Sequence, residues 1–123
     1  MRPPHILEFV RPFDPMDADA EDQYDAVVRR LNRVRARRAA RERERSELER
    51  QFVEDDLHVL SGSRRGEPLS DRGRRRRLSR LVDLEIESRR LQSEERFAVD
   101  ALARMNEALD RWARETYAPE TGP

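Results

Sequence analysis

A chain of 123 residues allows one domain, and 36% hydrophobic against 42% charged residues is too little apolar material for an ordinary compact core of that size. Cysteine is absent, which excludes disulfides, thiolate metal sites and cysteine nucleophiles. All 26 basic residues are arginine, and they balance 26 acidic residues. We therefore expect an elongated helical molecule, because its apolar periodicity is too regular for a disordered polyampholyte.

The first predicted element is an extended, Pro-rich N-terminal arm over residues 1–16, since proline disfavours a helix there. Its apolar side chains are predicted to bind protein: Ile6, Leu7, Phe9, Val10 and Phe13. The arm either folds back on its own hairpin or lies in a groove of another subunit. Its apolar run is interrupted by Glu8 and Arg11 and is too short for a signal peptide, so we expect a cytoplasmic location or one within a virion.

Two long helices follow the arm. The predicted elements are a helix over 17–60, a turn over 61–70, a second helix over 71–117 and a C-terminal tail over 118–123. Pro15 suits the first helical position, the glycines and Pro68 of SGSRRGEPLS indicate the turn, and Ser70 is the expected cap of the second helix. A loop this short forces the helices to run antiparallel. The predicted fold class is all-α, a long antiparallel two-helix hairpin of coiled-coil type.

Apolar residues recur along both helices in steps of three and four. The second helix carries one seam: Leu81, Leu84, Ser88, Leu91, Glu95, Ala98, Leu102, Met105, Leu109 and Trp112. The first helix carries two apolar groups separated by a polar middle: Tyr24, Val27 or Val28, Leu31 and Val34, then Leu48, Phe52, Leu57, Val59 and Leu60. If the turn centres near residue 65 or 66, the numbers of facing residues add up to about 131. The polar middle then faces Ser88 and Glu95, the two breaks in the second seam.

The charges come in blocks of opposite sign that meet across the proposed hairpin. The basic block over 29–45 faces acids of the second helix, and the basic run over 72–80 faces Glu54, Asp55 and Asp56. Most arginines are therefore expected to pair within the chain or to lie on a solvated face. At most two of the four adjacent arginines Arg74–Arg77 can face the partner helix. The residues predicted to be available for an anion or nucleic acid are Arg72, Arg74, Arg75, Arg76, Arg77 and Arg80.

The end of the second helix has a wider apolar surface than a two-helix seam requires. The residues predicted to bind protein there are Phe97, Leu102, Met105, Leu109 and Trp112. Near the turn, Leu78, Val82 and Ile86 form a smaller second stripe. Both surfaces imply a further partner, which is the N-terminal arm, a second copy of the chain or a different protein. Scattered apolar residues on an ordinary surface are the competing interpretation.

Residue patterns for catalysis are missing from the sequence. The only histidines, His5 and His58, lie in different segments, and no metal-binding spacing, glycine-rich phosphate loop or nucleophile motif occurs. A two-helix hairpin also lacks a concave substrate pocket. We expect no catalytic or metal-binding residues, no cofactor, no small-molecule substrate and no membrane partner.

The predicted size and shape resemble those of small coiled-coil hairpins that serve as adaptors, scaffolds or chaperones in virions and secretion machines. That resemblance concerns shape, and one shape hosts many functions. The leading hypothesis is a non-enzymatic structural or adaptor protein that binds other chains, as a homo-oligomer or as a small subunit of a hetero-complex. The alternative is an Arg-rich DNA- or RNA-binding helical protein, such as a packaging or regulatory factor. Its binding would fall steeply with salt.

Overall fold

The computed structural model describes residues 12–61 and 69–117. Within these ranges it contains two α-helices and no strand: α1 spans Ala20–Ser61 and α2 spans Asp71–Tyr117. The two helices pack against each other, so the prediction of an all-α helical hairpin is confirmed. Most of the predicted arm, most of the predicted turn and the C-terminal tail lie outside the described residues.

The first helix begins three residues later than the sequence predicts, because a turn precedes it. The Oδ1 atom of Asp14 accepts a hydrogen bond from the backbone N–H of Met16 at 2.9 Å, and its carbonyl accepts one from Asp17 at 3.1 Å. Such side-chain contacts to the backbone compete with the helix. The helical bonds begin at Asp19, whose carbonyl accepts the N–H of Gln23 at 2.9 Å. Its carboxylate also accepts the Gln23 amide at 3.1 Å.

The second helix has the predicted bounds and the predicted cap. Ser70 accepts the backbone N–H of Gly73 on its Oγ at 3.0 Å and the N–H of Arg74 on its carbonyl at 2.8 Å. The bond to the Oγ satisfies a donor that the first turn of a helix leaves unpaired, and the bond to the carbonyl is the first regular bond of the helix. A Cβ atom at Gly73 would lie 3.1 Å from both the Ser70 Oγ and the Arg77 Nη1, so the capped turn has little room for a side chain there.

The chain divides into two compact units, each built from one segment of α1 and one of α2. The first unit comprises Met1–Arg33 and Glu95–Pro123. Its core is a cluster of large residues on α1 against small ones on α2: Val27 and Leu31 with Ala98 and Ala101, flanked by Leu102 and Met105. Ala98 is fully buried. Alanine at these positions lets the two helices approach closely while the larger α1 side chains fill the space.

The second unit, Val34–Glu94, is held together as much by polar groups as by apolar ones. Its buried apolar residues are Val34, Leu84 and Leu91. Ion pairs between the helices lie on either side of Leu84 in the sequence: Arg41 with Glu87 at 2.7 Å, Arg45 with Glu85 at 3.3 Å, and Arg80 with Glu44 at 2.9 Å. The expected meeting of opposite charges is therefore found in this unit.

Contacts between the helices show the antiparallel direction and the register. In the first unit, the Tyr24 hydroxyl contacts the Asn106 Oδ1 at 3.1 Å, and the residue numbers of this contacting pair add up to 130. In the second unit they add up to 128 for Arg41 and Glu87 and to 124 for Glu44 and Arg80. The predicted register of about 131 is thus displaced by a few residues.

All ten positions of the predicted α2 seam are buried or half-buried, which confirms that pattern. The prediction for the end of α1 is partly wrong. Leu48 and Phe52 are half-buried, but Leu57, Val59 and Leu60 are exposed, Leu60 by 83%. The inward position one turn after Phe52 is taken instead by a buried carboxylate, Asp55. The α1 rotation that places Phe52 and Asp55 inward turns the last leucines toward solvent.

Candidate interaction surfaces

Four of the five predicted arm residues, Ile6, Leu7, Phe9 and Val10, lie outside the described residues. The fifth, Phe13, is half-buried and lies in the turn that precedes α1. It lines a groove of about 790 Å³ in the first unit. The chain therefore passes this groove at the point where the predicted arm joins the helical part.

The predicted protein-binding face at the end of α2 is mostly used inside the first unit. Leu102 and Met105 pack against the core cluster, and Leu109 is half-buried. The Nε1–H of Trp112 points at the Met16 sulfur at 2.9 Å. These residues stabilise the unit, because an aromatic or thioether side chain gains packing energy where it is covered.

Three other apolar or aromatic residues at this end of α2 are exposed: Phe97, Val99 and Tyr117. Phe97 is exposed by 41%, and Tyr117 contacts the Trp112 ring edge-on at a centroid distance of 5.7 Å while most of its surface stays in solvent. Of the face that the sequence predicts, Phe97 is the residue with the largest exposed fraction. The free apolar surface of the first unit is therefore smaller than the sequence suggests.

The larger uncovered apolar surfaces lie in the second unit. On α2, Leu78, Val82 and Ile86 are exposed by 50%, 60% and 63% and follow one another at four-residue spacing. They form one continuous row on the helix, which we call the α2 row. A second row on α1 consists of Val53, Leu57 and Leu60. The α2 row corresponds to the second stripe that the sequence predicts. The α1 row was not predicted, because it depends on the helix rotation that turns Asp55 inward.

The six candidate anion-binding arginines divide into two sets of three. Arg74, Arg77 and Arg80 contact α1 through Asp55, Gln51 and Glu44, respectively. The other three, Arg72, Arg75 and Arg76, are exposed, and none of them makes a hydrogen bond or an ion pair with the described part of the chain. Two of the four adjacent arginines, Arg74 and Arg77, thus face the partner helix.

The intramolecular pairs shift the pKa values of their members. A hydrogen bond from Arg80 lowers the pKa of Glu44, and the same contact raises the pKa of the Arg80 guanidinium. Along α1, a hydrogen bond from Arg50 lowers the pKa of Glu47. Hydrogen bonding to Asp56 is the largest cause that raises the pKa of Arg74. Each shift favours the charged form of the group, so these residues act as structural ion pairs and not as proton donors or acceptors near neutral pH.

Asp55 forms a connection between the helices that the sequence only partly revealed. Its carboxylate accepts the backbone N–H of Leu69 at 2.6 Å and a hydrogen bond from Arg74, whose other nitrogen reaches Asp56 at 3.1 Å. The Arg74 guanidinium also lies 5.2 Å from the centre of the Phe52 ring, within the range of a cation–π contact. The predicted pairing of Asp55 and Asp56 with the basic run is confirmed, whereas the third predicted acid, Glu54, contacts Arg50 of its own helix.

The groove in the first unit has a volume of about 790 Å³ and is lined by apolar, acidic and basic side chains in different parts. Small or flexible apolar side chains line it from both helices: Ala26, Val27, Ala101, Met105 and Ala108. Three acids, Asp17, Asp19 and Asp22, line it near the start of α1, and two arginines, Arg30 and Arg33, line it further along that helix. From α2, Glu107 and Arg111 line the end near the start of α1, which stays net acidic, and Arg104 also lines the groove. The arrangement suits an apolar, extended segment with charges of both signs.

Groups with the chemistry of a metal centre are not found in the described ranges: no set of three or more histidine, aspartate or glutamate side chains there could hold an ion. Neither described helix contains a stretch that is long and apolar enough to cross a membrane. Every buried side-chain nitrogen or oxygen in these ranges has a hydrogen-bond partner. The features of the described residues that remain to be explained are therefore the exposed apolar rows, the three unpaired arginines and the groove.

Comparison of the chain with protein-family models, with curated proteins and with solved structures found no match.

Proposed function

We propose that this chain is a non-enzymatic structural or adaptor protein, a small subunit of a larger assembly, that binds other protein chains through its hairpin. The observation that carries the proposal is the α2 row, Leu78, Val82 and Ile86, with at least half of each side chain exposed. Three large apolar residues at four-residue spacing form the kind of stripe that one helix presents to another. Covering it would remove apolar area from water at about 25 cal/mol per Å².

The charges at the two ends of the α2 row indicate what the partner looks like. Arg75 precedes the row and is exposed without a partner among the described residues, whereas Arg89 follows the row and is exposed but pairs with Glu85 of the same helix at 3.3 Å. An amphipathic partner helix with an acidic residue beside the end of its apolar stripe that meets Arg75 would match both the row and this arginine. A coiled-coil type of packing within the hairpin belongs to the same proposal, since inward positions recur in steps of three and four.

The test compares the full chain with a variant in which Val82 and Ile86 are replaced by serine. Light scattering after size exclusion at about 150 mM salt measures self-association, and capture of partners from the source cell measures hetero-complexes. We expect the wild type to form a defined complex that the variant loses, and a control with serine at exposed Val99 in the first unit to keep it. A complex that survives both substitutions would refute the assignment of the α2 row.

Nucleic-acid binding is the second candidate, and it rests on the exposed, unpaired Arg72, Arg75 and Arg76. Three phosphate contacts predict that the logarithm of the binding constant falls with the logarithm of salt with a slope of about −3 on duplex DNA. Fluorescence anisotropy of labelled DNA between 50 and 200 mM salt, on the wild type and on a triple glutamine variant, distinguishes the candidates. An adaptor binds DNA weakly at about 150 mM salt, whether or not the arginines are replaced.

A further inference from the structure

The groove of the first unit lacks an occupant among the described residues, and the chain itself leads into it. Pro12 and Phe13, the first two described residues, line the groove together with α1 and α2. Eleven residues precede them, and these contain the apolar side chains Ile6, Leu7, Phe9 and Val10. We propose that residues 1–11 bind in the groove of their own chain, as an extended segment that covers its apolar floor.

The length of the segment fits the groove. From Asp19, directly before α1, to Arg33, the lining residues span about 21 Å at 1.5 Å per residue. An extended chain covers about 3.3 Å per residue, so the six steps between successive residues from Pro12 back to Ile6 cover about 20 Å. All four apolar side chains of the segment therefore fall within the groove.

The order of charges in the segment is complementary to the order of charges in the groove. Arg11 is bonded directly to Pro12 and so lies near the start of α1, where Asp17, Asp19 and Asp22 line the groove. Glu8 follows three residues further along the segment, in the direction of the groove arginines, which include Arg30 on α1. Both charges of the docked segment would therefore lie near groove residues of opposite sign.

One physical effect favours the segment of the same chain over that of a second copy. The covalent connection through Phe13 holds the segment at an effective concentration on the order of millimolar, above that of any second copy in dilute solution. The docked segment would cover the first unit and leave the α2 row of the second unit as the surface for a partner.

The absence of cysteine from the chain allows a clean test by disulfide formation. One cysteine replaces an arm residue, and the other replaces Ala26, which is exposed and lines the groove. The matched control places the second cysteine at Asp25, which is also exposed but does not line the groove. Because the register of the segment is not fixed, four arm positions are tested in turn: Ile6, Leu7, Phe9 and Val10.

For at least one arm position, we expect the intramolecular disulfide to form about tenfold faster with a cysteine at position 26 than with one at position 25. The reason is that the docked segment raises the local concentration of the arm cysteine only on the side of α1 that faces the groove. Equal rates at both positions, or no disulfide at position 26, would overturn the proposal. Disulfide-linked dimers in dilute solution would overturn it as well, because they would show that the segment binds a second copy.

A second measurement does not depend on the register or on the formation of a disulfide. In full-length Ala26→Cys protein, serine at all four apolar arm positions should raise the rate of maleimide labelling about tenfold, because the segment no longer shields the groove. The same arm substitutions in Asp25→Cys protein should leave the labelling rate unchanged. A labelling rate at position 26 that is insensitive to the arm would also contradict the docking of residues 1–11.

Discussion

Replacement of Asp55 by alanine should destabilise the protein more than any substitution of an exposed acid. The Asp55 side chain is 4% exposed and accepts hydrogen bonds from the Leu69 backbone and from Arg74. Bonds that involve a charged group contribute about 1.5 to 3 kcal/mol each, but Arg74 keeps its contact with Asp56 and partial hydration. We therefore expect the lost hydrogen bonds to lower the free energy of unfolding by about 2 to 3 kcal/mol. The higher helix propensity of alanine offsets up to about 0.7 kcal/mol of that loss.

The net expected loss is about 1.5 to 2.5 kcal/mol in the free energy of unfolding. Urea unfolding followed by circular dichroism at 222 nm measures it, and Asp55→Asn should cost less because the amide oxygen still accepts the Leu69 N–H. The control is Asp56→Ala, which removes an exposed partner of the same arginine and should cost less than about 1 kcal/mol. If the two alanine variants lose equal stability, the proposed role of the buried carboxylate is incorrect.

Two further predictions concern the close helix contact and the ion pairs. Ala98→Leu should lower the free energy of unfolding by about 1 to 3 kcal/mol, because this fully buried alanine lies where the two helices approach each other. The control Ala103→Leu, at an exposed position, should change the free energy of unfolding by less than about 0.5 kcal/mol. Equal effects of the two substitutions in urea unfolding would refute this packing. The Arg80 hydrogen bond lowers the pKa of Glu44, so the pair stabilises the fold above the ordinary value of 4.5, and that contribution disappears as the pH falls through the lowered folded value. The stability difference between wild type and Glu44→Gln should therefore shrink from about pH 6 to about pH 3, and a constant difference in urea midpoints would contradict the assignment.

The two proposals are independent of each other. Docking of residues 1–11 concerns the first unit and is measured by disulfide formation, while binding of a partner concerns Val82 and Ile86 in the second unit. If docking is found and no complex depends on the α2 row, the groove assignment stands alone. If the complex depends on the α2 row but no arm position reacts with position 26, the adaptor proposal remains and the arm must act elsewhere.

Much of the fold follows from the sequence because helices are local and periodic. The seam from Leu81 to Trp112 was predicted from spacing alone, since a helix places residues three and four apart on one face. Ser70 and the bounds of α2 were predicted because a cap requires one side-chain oxygen near the first free N–H groups. The later start of α1 was not predicted, because several acidic residues in a row could each have served as its cap.

The candidate surfaces depended on tertiary structure to a much greater extent. Leu57 and Leu60 look like core residues in the sequence, but the helix rotation that buries Asp55 leaves them exposed. Leu102 and Met105 look like a free binding face, but they flank the core of the first unit. Composition and periodicity determined that the chain forms two amphipathic helices. The rotation and register of those helices decided which apolar residues are covered and which arginines are paired, because both depend on contacts between residues far apart in the chain.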